Sequence, residues 1–86
     1  MMRERIKPGR GKFFLTTKMR YGVQYYRESG VFDAGTDHEE PFLYWTKYRE
    51  YAFGFMTVKT ARAMAARLLA EHGIRAVIVN REGMVI

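Results

Sequence analysis

The sequence of 86 residues contains no cysteine, which excludes disulfide bonds, thiolate zinc sites and cysteine nucleophiles. It also has no long hydrophobic run: the longest apolar stretch, residues 51–56, is far shorter than the roughly 18 residues that a membrane span needs. The basic N-terminal residues lead into no apolar segment of the kind found in secretory signals. These absences favour a small cytoplasmic protein that does not associate with a membrane.

Motifs for catalysis, metal binding and nucleotide hydrolysis are also missing. The glycines of residues 8–12 do not have P-loop spacing, and Phe13 stands where a Ser or Thr would reach magnesium. The acidic segment 33–40 does not match an EF-hand, and there is no nucleophile elbow. We interpret segment 33–40 either as a solvated loop or as a contact surface for a basic partner. We therefore predict a protein that is not an enzyme and that uses no cofactor or metal.

Positive charge is what the sequence has in excess, and it is unevenly distributed. The formal net charge is +6. Residues 1–27 carry eight basic side chains and one acidic one, whereas residues 28–50 carry two basic and six acidic side chains. An asymmetry of this kind bears on the choice of partner and not on the fold.

The first twelve residues combine basic side chains with Pro8, Gly9 and Gly11 and show no apolar period. We predict that residues 1–12 form a flexible basic arm and that residues 13–86 form one domain. Apolar and polar residues then alternate over 13–26, which indicates one half-buried strand, or two strands with a bend near Gly22. The predicted polar face of this segment carries Lys18, Arg20, Gln24 and Tyr26.

The clearest helix signal follows an aromatic stretch. Residues 42–56 are rich in Phe, Tyr and Trp and predict a strand. Thr57 is a good N-cap residue, an apolar pattern with helical spacing follows it, and Gly73 stands where a helix would end. Apolar residues at 74–80 predict another strand.

The last residues predict a hairpin. Asn80 and Gly83 are spaced as in a type I turn with a glycine bulge, so that residues 84–86 pair back as a short strand. Together the elements predict an α+β fold: a single mixed or antiparallel sheet of about four to five strands with one α-helix packed on one face.

The basic arm and the polar strand face favour a nucleic-acid-binding protein without enzymatic activity. Basic side chains on a tether can follow a phosphate backbone, and an aromatic ring on a strand can stack on a base. The predicted contacts are Arg3, Arg5, Lys7, Arg10, Lys12, Lys18 and Arg20, with Tyr26 as the stacking residue.

A protein-interaction module is the alternative hypothesis. Tyrosine and tryptophan are enriched at the energetic centres of interfaces, and here the predicted anchors are Tyr44, Trp45, Tyr48 and Tyr51. The partner would be a protein that handles nucleic acid, and self-association through an aromatic sheet face belongs to the same hypothesis.

One part of the chain resembles known small proteins. Residues 53–69, Gly73 and residues 77–83 form a strand, a Thr-capped Ala-rich helix, a glycine and a strand. This pattern is similar to the tail of many small uncharacterised proteins of bacteriophages and mobile elements. The resemblance implies a binding role, including that of a phage-encoded, anti-CRISPR-like inhibitor of a host enzyme, and it transfers no functional residue to this chain.

Overall fold

In the part of the chain that the structure describes, one antiparallel sheet and one α-helix make up the fold. The structure is a computed structural model and describes residues 10–86. The strands lie side by side in the order β3-β2-β1-β4, and every neighbouring pair is antiparallel. This arrangement confirms the predicted α+β class with a single helix packed on one sheet. The elements are β1 (Phe13–Met19), β2 (Gly22–Phe32), β3 (Glu40–Thr46), α1 (Val58–His72) and β4 (Val77–Asn80).

Helix α1 begins and ends where its sequence predicts. The Thr57 hydroxyl accepts a hydrogen bond from the Thr60 backbone N–H at 3.1 Å, which satisfies a donor that the first turn leaves free. Gly73 closes the helix in the left-handed conformation with φ 69°, which glycine adopts without steric cost. Between these caps, Ala61 and Leu68 are buried against the sheet. No helix among residues 10–86 is long and apolar enough to cross a membrane.

The main core lies between α1 and one face of the sheet. At its centre the Tyr26 ring stacks on Phe55 with 6.1 Å between ring centroids and meets Trp45 edge to face. The opposite face carries a smaller cluster, in which Phe14, Ala52 and Val79 are buried beside Tyr25. The main core is formed by Leu15, Tyr26, Phe55, Ala61 and Leu68, with partly buried neighbours that include Phe13, Leu43, Trp45, Phe53, Met64 and Ile78.

A two-residue turn between β1 and β2 changes which residues share a face. Met19 pairs with Gly22, so two separate strands form, one of the two arrangements that the alternation allows. Because the turn has two residues, odd positions before it share a face with even positions after it. Tyr26 therefore lies on the helix face, whereas Tyr25 lies on the other. The structure thus corrects the predicted polar face, which joined Lys18, Arg20, Gln24 and Tyr26.

Strand β2 is longer than the sequence indicates. A Glu-Ser-Gly sequence at 28–30 predicts a strand end, yet β2 continues to Phe32, because β3 pairs with it along its second half. The Phe42 ring packs against β2 at Gly30, because a Cβ built on Gly30 would lie 2.9 Å from that ring. The ring thus occupies the place of the missing side chain and compensates for a residue that is unfavourable in strands.

The aromatic stretch 42–56 forms two extended segments instead of one strand. Strand β3 ends at Thr46, the chain makes a single 3-10 turn at Arg49–Tyr51, and it becomes extended again at residues 53–55. There, Phe53 N–H donates to Tyr26 O at 3.0 Å and Phe55 pairs with Phe13. The second segment therefore contacts both the start of β1 and the middle of β2.

Candidate nucleic-acid interface

The residues that precede β1 are fixed to the extended segment 53–55. The backbone N–H groups of Lys12 and Phe13 both donate to Phe55 O at 2.9 Å, and Phe55 N–H donates to Phe13 O at 2.7 Å. These bonds hold the last residues of the predicted arm against the sheet. Residues 1–9, which include Arg3, Arg5 and Lys7, lie outside the described residues.

Two glycines allow the backbones to touch at this point. A Cβ at Gly54 would lie 2.7 Å from Gly11 Cα and 2.9 Å from Arg10 O, and a Cβ at Gly11 would lie 2.3 Å from Gly54 C. Real Cβ atoms do not approach backbone so closely, so a side chain at either position would push the two segments apart. Gly11 also has a positive φ of 32°. The position of Arg10 therefore depends on both glycines.

The Arg81 side chain also holds the backbone of residues 10–11. Its guanidinium Nη1 donates to Gly11 O at 2.6 Å and to Arg10 O at 3.2 Å. The Arg81 carbonyl in turn accepts a hydrogen bond from Arg49 Nη1, which connects it to the 3-10 turn after β3. Arg81 thus contributes positive charge and also positions the backbone of residues 10–11.

The turn that carries Arg81 is the one that the sequence predicts. Gly83 N–H donates to Asn80 O at 2.9 Å, and Gly83 has φ 85°. The Asn80 side-chain oxygen accepts from the N–H groups of Glu82 at 3.0 Å and Met84 at 2.9 Å. Because one side chain satisfies two turn amides, the backbone at Arg81 is held in a defined conformation.

These contacts surround a shallow basic pocket of about 580 Å³, which we call the arm-root pocket. Arg10 and Lys12 are exposed, and none of the lining residues that the structure describes is acidic. Among residues 10–86 the one ion pair is between Arg67 and Glu71, so no described carboxylate neutralises Arg10 or Lys12. Cations brought together in this way raise the local positive potential and attract phosphate. The pocket is lined by Arg10, Gly11, Lys12, Gly54, Met56 and Arg81.

Two other predicted phosphate contacts lie at the opposite end of β1. Lys18 is exposed near the end of the strand, and Arg20 is exposed in the turn that follows. A strand of this length separates Arg20 from Lys12 by roughly 20 Å. The structure thus brings Arg10 and Lys12 together and places Lys18 and Arg20 apart from them.

Tyr26, the predicted stacking residue, lies in the core instead of on an exposed strand face. Its exposed fraction is 4%, and its hydroxyl is hydrogen-bonded to the Ser29 hydroxyl at 2.8 Å. Phe53 and Phe55 contact its ring. No face of the ring is accessible to a base in this arrangement. Tyr26 is therefore a core residue, and the structure corrects its predicted position on an exposed strand face.

Three of the four predicted protein anchors are exposed: Tyr44, Tyr48 and Tyr51 are 45%, 51% and 53% accessible. We call these three the tyrosine surface. The rings of Tyr48 and Tyr51 meet edge to face at 6.0 Å, and Tyr44 packs on Phe42 at 5.2 Å. Trp45 differs, because it is half-buried in the main core beside Tyr26.

Sequence reasoning missed Arg81 and Met56 as part of the basic site. The spacing of Asn80 and Gly83 predicts the turn, and this signal places Arg81 in an exposed connection. Nothing local indicates that this turn meets residues 10–11, because the contact depends on the pairing of β1 with β4. Long-range pairing is the information that a pattern along the chain does not contain.

The acidic segment is exposed from Asp33 to Glu40. Its hydrogen bonds are internal: Gly35 N–H donates to the Glu39 carboxylate at 2.6 Å, and the Thr36 hydroxyl donates to Asp33 O at 2.7 Å. Within residues 10–86 no group of three or more His, Cys, Asp or Glu side chains is arranged to hold a metal ion.

Comparison with known proteins finds no matching family model, no matching curated protein and no matching solved structure.

Proposed function

We propose that this protein binds nucleic acid without enzymatic activity and contacts phosphate groups through its basic N-terminal residues and the arm-root pocket. The observation that carries the proposal is that Arg10 and Lys12 meet at one pocket, where no lining residue within 10–86 is acidic. In the sequence, Arg3, Arg5 and Lys7 come directly before this pocket. The proposal includes these three residues as further phosphate contacts because of their charge.

Counterion release makes the proposal testable. A protein that neutralises phosphates loses affinity as salt increases, with a log–log slope of about 0.9 per phosphate for duplex DNA and about 0.7 for single strands. We expect fluorescence anisotropy with labelled DNA and RNA to show such a slope between about 50 and 200 mM salt. Replacing Arg3, Arg5 and Lys7 together with Gln removes up to three contacts and reduces the duplex slope by about 2 to 3.

The matched control replaces three exposed basic residues elsewhere with Gln, namely Arg27, Arg62 and Arg75. It makes the same change in charge but leaves the basic N-terminal residues intact. A slope that falls equally in both variants would show that only the total charge matters. Absence of binding at about 50 mM salt on every ligand would refute nucleic-acid binding altogether.

A second candidate function is a protein-interaction module, and the exposure of the tyrosine surface favours it. Tyrosine rings that are about half accessible offer large apolar areas together with hydroxyl groups for hydrogen bonds. The partner class is a protein that handles nucleic acid, as for a phage-encoded inhibitor of a host enzyme. A complex that survives nuclease treatment and is lost in a Tyr48→Ser/Tyr51→Ser variant supports this function. Loss of the complex on nuclease treatment contradicts it.

A further inference from the structure

We infer that the arm-root pocket holds one nucleotide of a single strand, with the phosphate on Arg10 and Lys12 and the base against Met56. This inference rests on the proposed function and adds a choice of ligand, because it predicts a preference for single strands over duplexes. It also assigns a base-contacting role to Met56.

The size and lining of the pocket support a nucleotide as the ligand. A volume of about 580 Å³ lies within the range of small-molecule sites and exceeds what a bare phosphate needs. The basic residues Arg10 and Lys12 line the pocket together with Met56, whose side chain is apolar. A nucleotide has the same two parts, an anion and an apolar ring system.

Met56 is a suitable contact for a base. Its side chain is 61% exposed although it follows the buried Phe55, so the fold does not use it as a core residue. The thioether is flexible and polarisable and packs well on aromatic rings of different shapes. Such a contact gives affinity without selecting one base.

A preference for single strands follows from access. In a duplex the base faces are covered by stacking and the edges lie in the grooves, so a base cannot lie flat against a side chain next to the backbone. In a single strand a base can turn out toward the pocket while its phosphate remains near the cations. Duplexes then retain only the phosphate contacts.

The test combines protein variants with altered ligands. Met56→Ala is compared with Met84→Ala, because Met84 is about equally exposed at 63% and follows the turn after β4. We expect Met56→Ala to weaken binding of a single-stranded oligonucleotide about three- to tenfold, with little change for the duplex or for a strand of abasic sites. Met84→Ala leaves all three affinities unchanged.

The phosphate part is tested separately with Arg10→Gln/Lys12→Gln. We expect the salt slope on a single strand to fall by about 1 to 1.5, since each lost phosphate contact accounts for about 0.7. The matched variant Arg62→Gln/Arg75→Gln, which changes exposed residues of α1 and of the connection to β4, retains the slope.

The outcomes distinguish this inference from the proposed function. If the protein binds nucleic acid but Met56→Ala behaves like Met84→Ala, or weakens binding to abasic strands just as strongly, the nucleotide site is wrong and the proposed function stands. Equal affinity for single strands and duplexes would also refute the nucleotide site and leave the proposed function standing. If the unmodified protein binds no nucleic acid, both are wrong.

Discussion

The arm-root pocket and the tyrosine surface are built in opposite ways. In the pocket, cations are positioned by backbone contacts: two glycines in contact, two N–H groups on Phe55 O, and the Arg81 guanidinium on two carbonyls. On the tyrosine surface, rings are exposed on β3 and at the 3-10 turn: Tyr48 and Tyr51 contact each other, and Tyr44 packs on Phe42. The pocket is therefore suited to recognition by charge, and the surface to recognition by apolar burial.

The two mechanisms respond differently to salt. Charge recognition weakens steeply with ionic strength, because bound counterions are released from the nucleic acid. Apolar burial at an interface is screened little and is strengthened by excluded salts. A salt series therefore assigns a binding activity to one region or the other.

The largest effect is expected from Gly54→Ala, which breaks the pocket without changing a charge. The new Cβ would lie 2.7 Å from Gly11 Cα, so the backbone of residues 10–11 has to move. We expect a loss of about 1–3 kcal/mol in the free energy of unfolding, as for overpacked sites. Urea unfolding measures this loss, and anisotropy should show weaker nucleic-acid binding in the folded variant.

The control for this variant is Gly22→Ala at the first residue of β2. Gly22 has φ 117° and nothing within 4 Å of a built Cβ, so Ala strains the backbone but displaces no neighbour. It should destabilise the fold through its conformation and leave nucleic-acid affinity unchanged. If Gly54→Ala also binds normally, the geometry of the pocket has no role in binding.

A smaller effect is expected from Tyr48→Ser/Tyr51→Ser, which tests the tyrosine surface. The two rings are exposed and contact each other, so the free energy of unfolding should fall by less than about 1 kcal/mol. Affinity for single strands should change less than about twofold, because the base is proposed to contact Met56 and not these rings. A lost stacking contact would instead cost about 1–3 kcal/mol per base. Anisotropy is the measurement, and Tyr21→Ser, at the most exposed tyrosine, is the control.

A tenfold loss of single-strand affinity in the Tyr48→Ser/Tyr51→Ser variant, with Tyr21→Ser unchanged, would contradict the assignment of base recognition to the arm-root pocket. It would move base recognition from the arm-root pocket to the tyrosine surface.

Local signals predicted the parts of the fold that local interactions determine. Thr57 and Gly73 cap α1 through contacts with their own neighbours in the chain, and the turn at 80–83 closes on the Asn80 side chain. The fold class follows from the order of such elements. The placement of Tyr26 was missed because a two-residue turn changes the face of every later residue, and the turn was predicted only as one alternative.

The basic site was predicted only in part, for a similar reason. Composition identified Arg10 and Lys12, because charge is visible in the sequence. Arg81 and Met56 join them through the pairing of β1 with β4 and with Phe55, partners that are distant in the chain. When a residue joins a site through contacts between distant segments, the sequence on either side of it does not indicate that role.

All predictions for the arm-root pocket depend on nucleic acid binding there. The most direct test is to titrate ¹⁵N-labelled protein with a short single-stranded oligonucleotide and to follow the backbone amide signals. Binding at the arm-root pocket predicts the largest shifts at residues 10–12, 54–56 and 81, with little change at residues 44–51. Large shifts at 44–51 without shifts at 10–12 would contradict it.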